Sequence, residues 1–134
     1  MKKILVVDDE HSINKIISYN LNISGYEVFS AFNGAEALEI FAQNKPDLIL
    51  LDIMMPVMDG NTFCIELLKR YPAHNIPIII MTAKHDSEQV LQSFAHGAVD
   101  YITKPFTIDI VLNQIKKYFD SGGEPDFSEY QFLY

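Results

Sequence analysis

The chain has 134 residues, of which 18 are Asp or Glu and 10 are Lys or Arg, so its formal net charge is −8. The length fits one domain, and a composition of 49% hydrophobic and 21% charged residues excludes wholesale disorder. A charge this negative argues against direct nucleic-acid contact by the domain and leaves cations, basic partner surfaces or plain solubility as interpretations.

The cysteine content and the apolar runs indicate the cellular compartment in which the protein is expected. The single cysteine, Cys64, has no intramolecular disulfide partner, and the four histidines are scattered without zinc-ligand spacing. The apolar start at residues 4–7 meets Asp8 at once, which makes it too short for a signal peptide. No apolar run approaches the roughly 18 residues that a membrane span needs. We therefore expect a reduced, soluble protein of the cytoplasm that makes no membrane contact.

Short apolar runs alternate with longer amphipathic runs in the first half of the chain. Residues 4–7 predict a strand, and apolar residues at three-to-four spacing, Ile16 among them, predict a helix over about 12–23. A second strand at residues 26–29 precedes another helix. That helix begins at Asn33, because this residue and the glutamate three positions on resemble a capping box.

The second half repeats the same alternation. A third strand at residues 48–51 is apolar throughout, as expected when helices cover both faces of a parallel sheet. A turn at Asp59 and Gly60 leads into the next predicted helix, which is followed by a strand at residues 78–81. A helix then begins at Asp86 and ends at Gly97, and a strand follows at residues 98–102. The last predicted helix begins at about Thr107, and one stripe of it carries Ile108, Val111, Leu112, Ile115 and Phe119.

This order of strand-then-helix repeats predicts the fold class. We expect an α/β protein with a doubly wound, five-stranded parallel sheet, helices on both faces and right-handed crossovers. In such sheets the ligand crevice lies beyond the carboxyl ends of the strands. The residues at the strand ends are therefore the first candidates for a functional site.

Charged and hydroxyl side chains stand where four of the predicted strands end. Asp8 and Asp9 follow the first strand, Asp52 the third, Thr82 the fourth and Lys104 the fifth. Three neighbouring carboxylates repel one another, so one or two would hold a proton at neutral pH unless a cation lies among them. Oxygen ligands without histidine or thiolate suit a hard ion, and two or three carboxylates with waters suit Mg²⁺ better than Ca²⁺.

A site that gathers Mg²⁺, an ammonium group and a hydroxyl around one carboxylate is equipped for phosphoryl transfer. The metal and Lys104 would neutralise oxygens of the moving group, and Thr82 would donate a hydrogen bond to another. A carboxylate can serve as the nucleophile and form an acyl phosphate. Asp52 is the natural nucleophile, because an acid that closes an aliphatic strand has few structural reasons to be there.

At these residues the chain resembles the receiver domain of two-component response regulators and is similar to the single-domain chemotaxis-type regulators. The resemblance covers about residues 1–119 and rests on four segments in order, at residues 4–10, 52–60, 81–83 and 100–106. It implies a flavodoxin-like sheet with the strand order 2-1-3-4-5 that is known for this family, flanked by five helices.

The resemblance also implies a role for each acid. Asp52 would accept a phosphoryl group from a phosphohistidine on a sensor histidine kinase or a histidine phosphotransfer protein. Asp9, Asp52 and the backbone carbonyl of Met54 would ligate Mg²⁺ directly, and Asp8 would act through a bound water. Beyond phosphotransfer and dephosphorylation on its own Asp52, the resemblance implies no enzyme activity.

The same resemblance implies a switch. Lys104 would pair with the phosphoryl group, Thr82 would move to hydrogen-bond it, and Tyr101 would turn inward behind Thr82. The surface of the fourth helix, fifth strand and fifth helix would then change, so that it controls a partner or output domain, and this face is also a candidate homodimer interface. A cis peptide bond between Lys104 and Pro105 rests on the resemblance alone.

These residues have structural interpretations as well. Acids such as Asp8 and Asp9 are often polar strand ends or helix caps, and only their coincidence with Asp52 favours a functional interpretation. Thr82 has a similar alternative as a strand-end hydroxyl. For Tyr101 the two interpretations are evenly balanced, because a tyrosine on a sheet edge is common packing.

Three other functions compete with a phosphorylated receiver. A flavodoxin-type cofactor binder needs hydroxyls and amides after the first strand, where Asp8 and Asp9 would repel a phosphate. A Mg²⁺-dependent aspartate-nucleophile phosphohydrolase normally has its nucleophile there within an Asp-x-Asp pattern, which this chain lacks. A phosphorylation-independent binding module would have lost a site residue, and none is missing.

The last residues, 120–134, fall outside the resemblance. Residues 120–126 predict an acidic linker, and Phe127, Tyr130 and Tyr134 would share a helical face beyond it. A docking peptide, a disordered stub and the start of an output module are equally compatible with this composition.

Overall fold

The computed structural model describes residues 1–83 and 87–120. Predictions about Asp86 and about residues 121–134 lie outside this part of the chain. Strands and helices alternate throughout it, in the order β1 (Lys3–Val7), α1 (His11–Ile23), β2 (Glu27–Ala31), α2 (Gly34–Asn44), β3 (Leu48–Asp52), α3 (Gly60–Arg70), β4 (Ile78–Ala83), α4 (Ser87–Phe94), β5 (Ala98–Lys104) and α5 (Ile108–Asp120).

The strands form one parallel sheet in the order β2-β1-β3-β4-β5. This arrangement confirms the predicted doubly wound fold class. The register brings the strand ends together, since Asp52 pairs with Met81, and Thr82 pairs with Thr103. Among the described helices, none has both the length and the apolar character that a membrane crossing requires.

Two apolar cores lie on opposite faces of the sheet. Side chains alternate along the central strand β3, so that Ile49 and Leu51 join the core under α2, α3 and α4, whereas Leu48 and Leu50 join the core under α1 and α5. All four are fully buried. Covering both faces explains why this strand is apolar at every position before Asp52.

Asn33 and Asp59 cap the starts of α2 and α3, and the second of these caps lies near the site. Asn33 Oδ1 accepts from the backbone N–H of Glu36 at 2.8 Å, as the capping pattern predicted, and Asp59 Oδ1 accepts from that of Thr62 at 2.8 Å. A Cβ on Gly60 would lie 2.9 Å from the carbonyl oxygen of Asp52. Only glycine therefore lets α3 begin so close to the end of β3.

The helix that the apolar spacing predicted is α1, but not all of the residues in that pattern are buried. Ile16 is 59% exposed, whereas Asn14 is buried together with Ile17 and Leu21. Asn14 Nδ2 contacts the carbonyl oxygens of Asp8 at 3.1 Å and Ala31 at 3.0 Å. A buried amide is tolerated here because it hydrogen-bonds the backbone at the carboxyl ends of two neighbouring strands.

One residue of the loop before α3 has a strained backbone. Val57 has a φ of 73° and is 87% exposed. A residue with a Cβ pays a conformational energy penalty of about 1–2 kcal/mol in this left-handed region. We expect Val57→Gly to raise the free energy of unfolding by about 0.5–1 kcal/mol, after allowing for the extra entropy of glycine in the unfolded chain.

Urea denaturation measures this effect, and Val57→Ala is the matched control. Because alanine keeps the Cβ and therefore most of the steric cost, it should give clearly less stabilisation than glycine. Equal effects of the two substitutions would show that the backbone at this residue is not strained.

A buried polar pair that the sequence pattern did not reveal joins α5 to β5. The Tyr118 hydroxyl donates to Asp100 Oδ2 at 2.6 Å, and both residues are buried. Burial raises the pKa of Asp100, and the hydrogen bonds from Tyr118 and from the Tyr101 N–H oppose that rise. The predicted stripe ends on Phe119, but Tyr118 is the more deeply buried because its hydroxyl reaches this carboxyl group.

We expect Tyr118→Phe to lower the free energy of unfolding by about 1–3 kcal/mol, because Asp100 would lose a buried donor. Tyr19→Phe is the control, since Tyr19 is 67% exposed on α1 and should change stability by less than about 0.5 kcal/mol. Chemical denaturation of both variants measures the difference. Identical stabilities would contradict a stabilising role for the pair.

Candidate metal centre

Three carboxylates meet at the carboxyl edge of the sheet. Asp8, Asp9 and Asp52 each offer one oxygen, and these oxygens lie within 4.8 Å of one another. Asp8 and Asp52 are buried, and Asp9 is partly exposed. The three meet because β1 and β3 are neighbours whose register aligns Val7 with Leu51, so both strands end at the same level.

Lys104 reaches this cluster from the end of β5. Its Nζ lies 3.2 Å from Asp8 Oδ2 and 3.3 Å from Asp52 Oδ2, with Glu10 Oε1 at 3.9 Å. Burial alone would lower the pKa of Lys104, but the carboxylates of Asp52 and Asp8 outweigh it and raise that pKa. The ammonium group is therefore charged at neutral pH and bridges two of the three acids.

The Asp52 carboxyl group is strongly perturbed. Burial and, after it, the negative charge of Asp8 raise the pKa of Asp52 to about 7. The charge of Lys104 and the backbone N–H of Met54, which donates to Asp52 Oδ1 at 3.2 Å, act in the opposite direction. The Lys104 ammonium group therefore does not fully offset the burial of Asp52 and its repulsion by Asp8.

The donor set fits Mg²⁺. Three carboxylates against one ammonium group leave an excess of negative charge in a largely buried site, and oxygen donors suit a hard divalent cation. A bound cation of this kind would also favour the ionised carboxylate of Asp52 and so oppose the rise of its pKa. Asp8, Asp9 and Asp52 would hold it.

The other predicted residues lie around this cluster in different ways. Thr82 is buried at the end of β4, and its hydroxyl donates to the Ala83 carbonyl oxygen at 3.2 Å. Tyr101 is half-buried on β5 and packs against the core under α4. The Met54 side chain is mostly exposed, and its carbonyl stays a predicted ligand. The peptide bond between Lys104 and Pro105 is cis.

Asn14 is a site-supporting residue that the sequence did not indicate. Its amide fixes the carbonyl of Asp8, while the Glu10 N–H donates to Asp8 Oδ1 at 2.9 Å. Both contacts hold the turn that presents Asp8 and Asp9 to the cluster. The available signal was a polar residue within the predicted helix, and periodicity alone does not distinguish such a residue from a solvated one.

The fold and the site together define a class: a doubly wound α/β protein with an acidic, lysine-bridged pocket at the carboxyl edge of its sheet. The family model for the response regulator receiver domain matches residues 4–116. The chain belongs to the response regulator receiver domain family, which places it in two-component signalling and confirms the resemblance.

Curated and solved relatives agree with this assignment. The chain is 37% identical over 116 residues to the DNA-binding dual master transcriptional regulator RpaA of Synechocystis sp., an alignment that covers 87% of this chain and 48% of that protein. The chain thus spans about half the length of that relative.

Solved receiver structures superpose closely on the fold. A response regulator receiver domain protein from Clostridium thermocellum gives a TM-score of 0.82 at 31% identity, covering 91% of this chain and 97% of that one. The Vibrio cholerae chemotaxis protein CheY4 gives a TM-score of 0.82 at 33% identity, and the superposition covers 87% of this chain and 98% of that one. These likenesses confirm the flavodoxin-like receiver architecture with its five parallel strands and five helices.

Proposed function

We propose that the chain is a phosphorylatable receiver whose phosphoacceptor is Asp52. The observation that carries this proposal is the position of the Asp52 carboxylate, which lies among two further acids and 3.3 Å from the Lys104 ammonium group. The phosphoryl donor would be a phosphohistidine of a sensor histidine kinase or of a histidine phosphotransfer protein. Mg²⁺, when bound, would neutralise phosphoryl oxygens during the transfer.

In the proposed step an oxygen of Asp52 forms the new O–P bond while the N–P bond of the phosphohistidine breaks. The freed imidazole nitrogen keeps the electron pair and takes a proton from solvent. Lys104 would move its contact from the carboxylate to a phosphoryl oxygen, which its length and its position between two acids allow. The protein would thus act only on its own Asp52, in phosphotransfer and dephosphorylation.

The proposed output runs through the face of α4, β5 and α5. Thr82 would turn from the Ala83 carbonyl to the phosphoryl group, and Tyr101 would then move inward behind it. This face would engage a partner, an output domain or a second copy of the chain. The net charge of −8 supports an output without direct nucleic-acid contact by the receiver itself, and the cytoplasm stays the predicted compartment.

Incubation with acetyl phosphate, with and without Mg²⁺, followed by intact-mass measurement tests this proposal. We expect one phosphoryl group per chain, gained only with Mg²⁺ and released by alkaline hydroxylamine, as an acyl phosphate should be. Steady phosphate release from phosphomonoesters would instead support the aspartate-nucleophile phosphohydrolase. No incorporation under any condition would overturn the proposal and favour a phosphorylation-independent binding module.

A further inference from the structure

An open apolar groove of about 360 Å³ lies between the end of α2 and the α3–β4 loop. Phe41 and Tyr71 form its aromatic wall, with ring centroids 5.0 Å apart at 49°, and His74 and Ile76 complete the side towards β4. Because Ile76 stands just before β4, the groove opens at the amino edge of the sheet, opposite the acid cluster. It is therefore separate from the phosphoacceptor site.

His74 carries a polar group that the described structure does not satisfy. Its Nδ1 accepts from the Ile76 N–H at 3.2 Å, and burial lowers its pKa, so the neutral ring carries its proton on Nε2. Within residues 1–83 and 87–120, that buried Nε2 meets no acceptor. A buried donor without an acceptor is destabilising, and an acceptor brought by an occupant of the groove would remove that penalty.

The charges around the groove favour an acidic occupant. Lys45 lines it, and among the described residues no Asp or Glu does. Arg70 stands immediately before Tyr71 at the end of α3, whereas Lys69 pairs with Glu66 at 3.5 Å. An aromatic wall with Lys45 on it, and with Arg70 next to Tyr71 in the chain, suits a segment that combines acids with aromatic side chains.

This chain contains such a segment directly after α5. Residues 121–134 include three acids and no Lys or Arg, and Phe127, Tyr130, Phe132 and Tyr134 are aromatic. The end of α5 is close to the groove, because Tyr118 and Phe119 line a second depression that shares Ile76 with it. Residues 121–126 can span at most about 20 Å when extended, which limits how far residue 127 lies from the end of α5.

We propose that residues 127–134 bind intramolecularly in the groove between α2 and the α3–β4 loop, with aromatic side chains against Phe41 and Tyr71. Glu129, the acid of this segment, lies near Lys45 and Arg70, and a carbonyl, hydroxyl or carboxylate oxygen accepts from His74 Nε2. This binding leaves the carboxyl edge of the sheet open, so phosphorylation and groove occupation use opposite ends of the molecule.

A spin label on the segment tests the proposal in the full chain. Cys64 is buried and its pKa is raised to about 12, so a thiol reagent modifies only a new cysteine introduced as Gln131→Cys. We expect paramagnetic loss of the amide signals of Ala42, Ala73 and His74, and no loss for residues at the carboxyl edge of the sheet. Unchanged amide signals along the groove would overturn the proposal.

Two exposed neighbours on α2 supply a matched pair of variants. Ala42 lines the groove and Gln43 does not. Ala42→Glu in the labelled chain should restore the groove signals by repelling the acidic segment, whereas Gln43→Glu should leave the signal loss unchanged. Equal behaviour of the two variants would contradict binding in the groove.

A mixing experiment separates this proposal from docking by a second copy. Chains at natural nitrogen abundance that carry the spin label are mixed with ¹⁵N-labelled chains that carry no spin label. Intact groove signals in the mixture support the intramolecular arrangement, because the label then acts only on its own chain. Signal loss in the mixture would overturn it in favour of exchange between copies.

Discussion

Asp52→Asn should reduce phosphoryl incorporation from acetyl phosphate to background, whereas the wild-type chain should gain one group. Asparagine keeps nearly the same shape at the end of β3 and can still accept from the Met54 N–H. Its neutral amide, however, is not a nucleophile that forms an acyl phosphate, and it no longer pairs with the Lys104 charge. Intact-mass measurement in the presence of Mg²⁺ records the loss.

Asp59→Asn is the matched control for this experiment. Asp59 lies in the loop after Asp52, but its carboxylate caps α3 through the Thr62 N–H, and asparagine caps a helix equally well. We therefore expect wild-type incorporation for Asp59→Asn. If Asp52→Asn also incorporated fully while fragment masses placed the phosphoryl group on another acid, the assignment of the phosphoacceptor would be wrong.

The converging acids were predictable because topology alone brings them together. An apolar run that stops at an acid marks the end of a buried parallel strand, and neighbouring parallel strands end at one edge. That reasoning places Asp8, Asp9 and Asp52 in one cluster, as the structure has them. It needs no knowledge of side-chain packing, and it is insensitive to errors of one or two residues in the element bounds.

Contacts that depend on helix rotation were not predictable in the same way. The sequence of α1 offers two apolar stripes, and periodicity does not say which faces the sheet. The structure buries Ile17 and Leu21 and leaves Ile16, Tyr19 and Ile23 exposed. The deciding factor is Asn14, whose amide is needed by backbone carbonyls of two strands.

The pairing of Asp100 with Tyr118 escaped prediction for a related reason. The two residues are 18 positions apart and meet only once α5 packs on β5. From the sequence, Asp100 looks like a polar position on a half-exposed edge strand and Tyr118 like a neighbour of the apolar stripe. Tyr118 satisfies the buried Asp100 together with the Tyr101 N–H and Lys117, which lies 3.7 Å from Asp100 Oδ2, and single-position patterns do not contain that information.

The stability of the metal-free protein should fall as pH rises from about 4 to about 7. The pKa of Asp52 is raised in the folded chain to about 7, above its ordinary value of 3.8. Across this window the folded state keeps a proton that the unfolded state has lost, so unfolding becomes easier as pH rises. One proton contributes at most about 1.4 kcal/mol per pH unit, and thermal denaturation in a chelating buffer measures the trend.

Mg²⁺ should restore the stability that is lost as pH rises. Asp52→Asn should remove both the pH dependence and the stabilisation by Mg²⁺. A cation among Asp8, Asp9 and Asp52 binds the folded state alone, so at a hundred times its dissociation constant it stabilises the fold by about 2.7 kcal/mol. The difference between wild type and Asp52→Asn isolates this site from Asp100, whose pKa is also raised by burial. Parallel pH profiles for the two proteins, or a wild-type melting temperature indifferent to Mg²⁺ at pH 8, would contradict a cation site built on Asp52.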